Sequence, residues 1–432
     1  LTAIVFGLVP ALQTVRQDIV DPLRDSGKGT SGGFRRRRLS NALVVAEVAL
    51  SLVLLTGAGL LMRSFVNLTT ADLGLDPEHV LFARVPLPPG RYDTREAKQQ
   101  FFDPLLARVK ALPGVVSAAT ASMLPPYGGF SGEIEVAGTT HEDRWRSMFD
   151  LCSEGYFTTL RMKLLRGRLL SGDDVAQARR VAVVNRAFVD KYLGTADPLG
   201  RSVRFKLLET VKPGAIENAV FEIVGVVADT KNRGIQEVPD PQAFLPYTVT
   251  GAFPRSLLVR TAGPPAAMAE TVRREVWSVD RGVAVTMMGA VTEYLRRFSY
   301  AEPRLGLMIL GVFAVLGMVL VAIGVYSVIA YTVARQTHEI GIRMALGAER
   351  AHVLRLVLGM GSRLVGLGLA IGLVVSLAAT RVLSSQLWGV APHDPLTLTS
   401  VIVVVAIAGA AACVFPARRA TRVDPMVALR YE

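Results

Sequence analysis

An uncharged run of 30 residues, 305–334, places the strongest constraint on how this chain can fold. A helix needs only about 20 mostly apolar residues to cross a bilayer, so this run predicts a membrane-spanning helix. Three further stretches predict spans: 39–62, interrupted only by Glu47; 364–380, whose helix is expected to begin near Val353; and 396–415. The sequence therefore predicts four complete spans.

The composition agrees with a membrane protein that carries a sizeable soluble part. Charged residues make up 19% of the chain, below the roughly 25% of soluble proteins. The formal net charge is +12, which by itself would suit nucleic-acid binding. The arginines, however, cluster beside the apolar runs, and that placement is typical of membrane topology. We therefore expect the lipid bilayer, and no nucleic acid, as a partner.

Arginine in the short loops predicts the orientation of the spans, because such loops stay in the cytoplasm. Four arginines, 35–38, precede the first span, three lie within 335–352, and four follow the last span. This pattern predicts a multi-pass membrane protein. The loop 335–352 and the C-terminus are expected in the cytoplasm, and 64–302 and 381–395 outside it.

The outside segment 64–302 has the alternating patterns of an α+β domain. Strands are predicted at 79–85, 115–122, 181–185, 221–228 and 256–261, and helices at 94–112, 186–193 and 264–279. Glycine and proline clusters predict loops at 124–129 and 239–254. The predicted fold is thus an α-helical transmembrane bundle with a large α+β extracytoplasmic domain.

Motifs for catalysis, metal binding and nucleotide binding are weak in this sequence. The run His141-Glu142-Asp143 is more typical of a polar turn than of a metal site. The run 25–30, DSGKGT, lacks the first glycine of a P-loop and follows no strand. We therefore expect no catalytic residue, no metal, no cofactor and no enzyme activity in this chain. The alternative of a membrane-anchored enzyme would place its active site in 64–302.

Glu47 is a carboxylate within the first predicted span. A charge near the bilayer centre costs roughly 2.5–3.5 kcal/mol on insertion scales. One interpretation is a buried charge that takes part in transmitting movement through the bundle. The other is a structural group, paired with a hydroxyl or kept protonated between helices.

The two ends of the chain resemble each other. Residues 10–25 and 416–431 align without gaps, and six of the sixteen positions are identical. Chance similarity of two basic segments beside membrane spans is one explanation, and a tandem duplication is the other. Under duplication, 1–25 is the end of a first repeat with a truncated fifth span, and 26–38 is a cytoplasmic linker. The second repeat then holds the span 39–63, the domain 64–302 and a three-span region 303–432.

The segment 335–348 predicts a short amphipathic helix at the cytoplasmic face. Arg335, Glu339 and Arg343 recur every fourth residue and form a charged stripe, with Ile340 and Met344 beside it. The periodicity alone is equally compatible with an interfacial helix that has no partner.

The residues of this segment also carry a family resemblance. The run 339–348, EIGIRMALGA, resembles the signature of FtsX-like permeases, and the tail 416–432, PARRATRVDPMVALRYE, resembles the ending of the same family. The order of one span, a large outside domain and three spans is similar as well. The resemblance covers about 39–432 and implies a MacB-type ABC transporter permease of the bacterial inner membrane. With the repeat, the chain looks like part of a duplicated orphan permease.

The resemblance implies which residues act and how. A separate cytoplasmic ABC ATPase would contact Arg335, Glu339, Ile340, Gly341, Arg343, Met344, Leu346 and Gly347. The C-terminal family motif would comprise Pro416, Arg418, Arg419, Asp424, Pro425 and Leu429. ATP hydrolysis would then rearrange a MacB-like periplasmic core domain at 64–302, a mechanism called mechanotransmission.

The same resemblance implies a biological role with an alternative. Export or efflux by a dimer of permease units, or by a pseudo-dimer of two repeats, is one role. Transmembrane signalling that regulates a periplasmic enzyme is the other. A periplasmic or outer-membrane partner protein is compatible with either role.

Overall fold

The computed structural model describes residues 31–138, 144–212, 214–336, 342 and 349–420. The chain divides into two compact units. The membrane unit comprises the residues up to Arg63 and those from Gly306 onward. The inserted domain, Ser64–Leu305, interrupts the membrane unit after its first helix.

The described helices and strands follow one another in this order: α1 (Ser31–Thr69), β1 (Val80–Val85), α2 (Arg95–Lys110), β2 (Val115–Ala121), β3 (Phe130–Val136), β4 (Arg146–Cys152), α3 (Tyr156–Leu160), β5 (Leu164–Gly167), α4 (Gly172–Ala176), β6 (Val181–Asn185), α5 (Arg186–Tyr192), β7 (Ser202–Phe205), α6 (Lys206–Thr210), β8 (Val220–Val227), β9 (Gln242–Pro246), β10 (Arg255–Thr261), α7 (Pro265–Val279), β11 (Thr286–Ala290), α8 (Val291–Phe298), α9 (Ala301–Arg335), α10 (Arg350–Leu383) and α11 (Pro395–Ala420). Short 3₁₀ turns lie at Tyr247–Val249 and Ser384–Gln386.

Helices α1, α9, α10 and α11 are long and apolar enough to cross a membrane. Their candidate spans are Arg38–Thr69, Ala301–Arg335, Ala351–Leu383 and Pro395–Arg419, which confirms the four predicted spans. Helix α1 is the most enclosed of the four. In its most apolar stretch 44% of the residues are buried, against 22–28% in the other three. The first span, although distant in sequence from the others, is thus the central helix of the unit.

Glycines of α9 and α10 bring these helices close to α1. A methyl group built on Gly368 would lie 2.6 Å from Cβ of Val48, and one built on Gly317 would lie 2.8 Å from Oγ of Ser51. Both distances are shorter than van der Waals contact allows. Association of helices in lipid depends on such close approach, because there is no hydrophobic driving force between them.

The inserted domain is built on one mixed sheet. Its strand order is β11-β1-β10-β2-β4-β3-β7-β8-β6-β9, and β5 pairs with β8. Most neighbours are antiparallel, whereas β4–β9 and β6–β8 are parallel. Helices pack on the sheet and share its core, so the α+β class predicted for this domain is confirmed.

Helix α2 shows why the local sequence folds as it does. Its N-terminus is capped by Thr94, whose hydroxyl accepts a hydrogen bond of 3.2 Å from the amide of Ala97. Apolar residues at helical spacing form the buried face, which joins the domain core: Phe101, Phe102, Leu105, Leu106 and Val109. The helix ends just before Gly114, whose φ of +85° only glycine adopts without strain.

Most predicted elements of the domain are confirmed, and one prediction is corrected. The five predicted strands correspond to β1, β2, β6, β8 and β10, and the three helices to α2, α5 and α7. The prediction of a loop throughout 239–254 is wrong, because the fully buried strand β9 lies within it. Only three of its five residues are apolar, 243–245, and prolines lie on both sides of them, so the sequence pattern did not indicate a strand. The predicted linker 26–38 is helical from Ser31 onward, where α1 begins.

Candidate functional site

The segment predicted to contact an ATPase lies between α9 and α10. Arg335 is the last residue of α9, and Glu349 directly precedes α10. Of the residues between them, the structure describes Gln336 and also Ile342, which is helical and 38% exposed. The others predicted for this contact lie outside the described residues: Glu339, Ile340, Gly341, Arg343, Met344, Leu346 and Gly347. The coupling helix therefore stays a prediction.

The C-terminal family motif is described only in part. Pro416 is buried within α11. Arg418 and Arg419 occupy the last turn of this helix, where a positive charge interacts favourably with the negative end of the helix dipole. Asp424, Pro425 and Leu429 lie outside the described residues. So do residues 1–30, and the tandem repeat remains a prediction.

Glu47 points from α1 towards α9. Its Oε2 atom is buried and has no hydrogen-bond partner among the described residues. A methyl group built on Gly324 would overlap this oxygen, so the carboxylate occupies the space that the glycine leaves free. Among the described residues, Oε2 is thus not paired with a hydroxyl. The transmission role and the structural role of Glu47 both stay predictions.

The C-terminal part of α1 and the start of α11 are joined by an ion pair that the sequence pattern does not predict. Arg63 contacts the Oδ2 atom of Asp394. Asp394 also caps α11, because it accepts hydrogen bonds from the amide of Thr397 at 2.9 Å and from its hydroxyl at 2.6 Å. These bonds, and then the guanidinium of Arg63, lower the pKa of Asp394. The pair Asp394-Pro395 is a recognisable helix start. The arginine partner lies too far away in sequence to be found.

The inserted domain contains a cluster of ionisable residues, which is where an active site would be sought if the protein were a membrane-anchored enzyme. Asp150, Cys152 and Tyr156 are at most 1% exposed. Asp150 Oδ1 accepts hydrogen bonds from the amides of Ser122 at 2.9 Å and Met123 at 3.3 Å. A substrate cannot reach groups enclosed in this way, so the cluster is structural. Within the described ranges, no group of three or more His, Cys, Asp and Glu residues is placed to hold a metal ion.

Asp150 should make the stability of the inserted domain depend on pH. Burial raises the pKa of Asp150 to about 6 in the folded protein, above the ordinary 3.8. The folded state therefore holds this proton more tightly, and its stabilising effect is complete below pH 4 and lost as pH rises through 6. Relative to the Asp150→Asn variant, we expect wild type to lose about 2 kcal/mol between pH 4 and pH 7.

Urea unfolding of the full-length protein in detergent, followed by tryptophan fluorescence, measures this difference. The comparison with Asp150→Asn cancels the titration of other groups. A difference between the two proteins that stays constant from pH 4 to pH 8 would contradict the prediction.

Comparison with known families agrees with this arrangement of spans and inserted domain. Residues 42–276 match the MacB-like periplasmic core domain, and residues 311–425 match the FtsX-like permease C-terminal domain. The first match alone covers more than half of the chain. The chain belongs to the MacB-type, FtsX-like permease family.

Relatives of this permease include proteins named as exporters. It is 26% identical over 280 residues to the macrolide export ATP-binding/permease protein MacB of Marinobacter nauticus, covering 62% of this chain and 41% of that protein. It is 27% identical over 285 residues to the pyoverdine export ATP-binding/permease protein PvdT of Pseudomonas aeruginosa, covering 62% and 40%. The permease thus spans less than half the length of these curated relatives.

A solved structure resembles part of the permease. The periplasmic region of MacB from Actinobacillus actinomycetemcomitans covers 52% of this chain and 94% of its own, with 16% identity and a TM-score of 0.36.

Proposed function

We propose that this permease couples ATP hydrolysis by a separate cytoplasmic ATPase to rearrangement of its inserted domain, in the service of export. The observation that carries the proposal is the length and continuity of α1 and α9. Helix α1 has 39 residues and α9 has 35. At 1.5 Å per residue they measure about 58 and 52 Å, against a hydrocarbon core of about 30 Å. Both therefore extend well beyond the bilayer core.

Because α9 is continuous, it can carry a displacement from its cytoplasmic end to the end attached to the inserted domain. The helix begins at Ala301, directly after the last short helix of the inserted domain, and runs unbroken to Arg335. The predicted coupling helix 335–348 follows immediately. A rigid helix transmits a displacement of one end to the other, so a push at the cytoplasmic end would move the end attached to the domain.

The same proposal specifies the orientation of the permease in the membrane and its pairing. The arginine-rich ends of the spans would face the cytoplasm, and the inserted domain would lie in the periplasm of a cell with an inner membrane. Two permease units, either as separate chains or as repeats of a longer one, would pair to engage a dimeric ATPase. The names of the relatives describe exporters, and this supports export over regulatory signalling.

The proposed ATPase contact can be tested by crosslinking. A cysteine introduced at Met344→Cys is expected to form a disulfide-linked complex with a cysteine-bearing ABC ATPase from the same genome, co-expressed with the full-length permease. The reason is that Met344 lies on the apolar stripe of the predicted coupling helix. Non-reducing gel electrophoresis of isolated membranes would show the complex.

The matched control is Val238→Cys in the inserted domain. Val238 is 81% exposed, so its failure to crosslink would not be due to burial. If Met344→Cys gives no more complex than Val238→Cys, while the same permease variant still stimulates the ATPase, the proposed contact is wrong.

A further inference from the structure

The outward face of α7 carries four side chains that line a surface depression of about 540 Å³: Arg274, Trp277, Ser278 and Arg281. They follow the spacing i, i+3, i+4 and i+7, so they form one stripe along the helix and just past its end. The opposite face of α7 is fixed to the domain core by the buried Val272 and Val276. The stripe, called here the α7 patch, is therefore held on a rigid element.

The α7 patch has an excess of positive charge. Neither Arg274 nor Arg281 forms an ion pair with any residue in the described part of the chain. Arg108 of α2 adds a third guanidinium, which donates a hydrogen bond of 2.8 Å to Ser278 Oγ. The nearby carboxylate is that of Glu275, 3.4 Å from the same hydroxyl. Three arginines thus face one glutamate.

Other acidic groups near α7 are already engaged elsewhere. Glu270 pairs with Arg273. Asp280 accepts a hydrogen bond of 2.6 Å from Tyr92 and pairs with Arg91 at 2.7 Å. The charge of the α7 patch is therefore not balanced from its flanks, and an anionic group is the complement that it lacks.

Trp277 supplies an apolar surface of fixed orientation at the centre of the patch. Its side chain is 41% exposed, and its indole N–H donates a hydrogen bond of 3.2 Å to the carbonyl of Val283. Because the ring is already held in place, little side-chain entropy is lost when a partner packs on it. Tryptophan and arginine are also the residue types that contribute most to binding at protein interfaces.

The shape of the depression decides between a small molecule and a protein. Sites for small molecules bury most of the ligand surface in a concave pocket. The residues that line the α7 patch are all exposed, so a small ligand there would remain largely in solvent. A protein segment that lies across an open surface has no such disadvantage.

We propose that the α7 patch is a docking site for an acidic segment of a partner protein on the outer side of the membrane. Carboxylates of the segment pair with Arg274 and Arg281, and an apolar side chain of the segment packs on Trp277. The site does not involve the coupling helix. Its test is therefore independent of the test of the proposed ATPase contact.

The probe for the test is a fluorescein-labelled peptide of 12 residues that alternates glutamate with leucine and phenylalanine. Its binding to the full-length permease in nanodiscs of zwitterionic lipid is measured by fluorescence anisotropy. The double variant Arg274→Glu/Arg281→Glu is expected to raise the Kd at least about tenfold, and Trp277→Ala about fivefold. A peptide with lysine in place of glutamate is expected to bind at least about tenfold more weakly to wild type.

The matched control is Arg144→Glu/Arg186→Glu, which makes the same change of charge at two exposed arginines elsewhere on the domain. We expect it to change the Kd less than about twofold. An equal loss of affinity in both double variants, or no loss in the patch variant, overturns the proposal. Competition by succinate as strong per molecule as that by unlabelled peptide also overturns it, because the patch would then be a site for small anions.

Discussion

Replacing Arg255 with alanine is expected to unfold the inserted domain or to lower its free energy of unfolding by more than about 4 kcal/mol. The Arg255 side chain is 1% exposed and is the largest fully buried side chain among the described residues. Its two terminal nitrogens donate hydrogen bonds of 3.0–3.3 Å to five backbone carbonyls, those of Tyr247, Thr250, Ala252, Phe253 and Pro254. Each buried carbonyl that loses its donor costs roughly 1–3 kcal/mol.

Two variants calibrate this effect. Arg255→Lys retains the charge but loses the planar fork of donors, so its loss of stability should be smaller than that of alanine. Arg186→Ala removes an exposed arginine and should change the free energy of unfolding by less than about 0.5 kcal/mol. Urea midpoints of the full-length protein in detergent measure all three. Equal midpoints for Arg255→Ala and Arg186→Ala would contradict the assigned role.

In the membrane unit, Gly372→Ala should separate α10 from α1. A methyl group on Gly372 would lie 2.9 Å from both Cα and the carbonyl oxygen of Ala49, and 3.0 Å from Cβ of Leu52. Backbone atoms cannot move aside as the end of a side chain can, so the two helices must shift. We expect the free energy of unfolding to fall by about 1–3 kcal/mol, as for other overpacked cores.

Gly366, on the same helix, is the matched control. A methyl group there meets no atom within 4 Å, so Gly366→Ala should leave stability unchanged or raise it slightly. Thermal unfolding can be followed with a thiol-reactive dye, because Cys413 in α11 is only 2% exposed and becomes reactive when the bundle opens. Identical melting temperatures for the two glycine variants would show that close packing on α1 is not required.

The parts of this structure that the sequence predicted are those with a local signal. Long apolar runs identify the spans. Helix α2 is predicted by a capping residue, by apolar residues at helical spacing and by a glycine after its end. Strand β4 gave no such signal. It carries the buried Asp150, whose polar side chain is stabilised by the amides of Ser122 and Met123 from outside the strand. This contact joins residues that are distant in sequence, so it depends on the tertiary fold and no local pattern predicts it.

The same limit applies to the candidate site. A charged stripe and a family resemblance in 335–348 can be read directly from the chain. The ion pair of Arg63 with Asp394, and the orientation of Gly372 towards Ala49, depend on which faces of distant helices meet. Periodicity does not determine this for helices that are apolar on nearly all sides.

The two ends of the inserted domain meet at one edge of its sheet, and this has a mechanical consequence. Strand β11 is the edge strand and pairs antiparallel with β1, from Leu81 opposite Ala290 to Arg84 opposite Thr286. The chain therefore enters and leaves at the same end of this ladder. Pulling these two ends apart would load the hydrogen bonds one after another, as in a zipper, and peel β11 away while the rest of the sheet stays intact.

Strand β11 also contacts α7, since Arg273 lies 3.9 Å from the sulfur of Met288 on that strand. A tension too small to unfold the domain would therefore remove this contact and alter the position of α7.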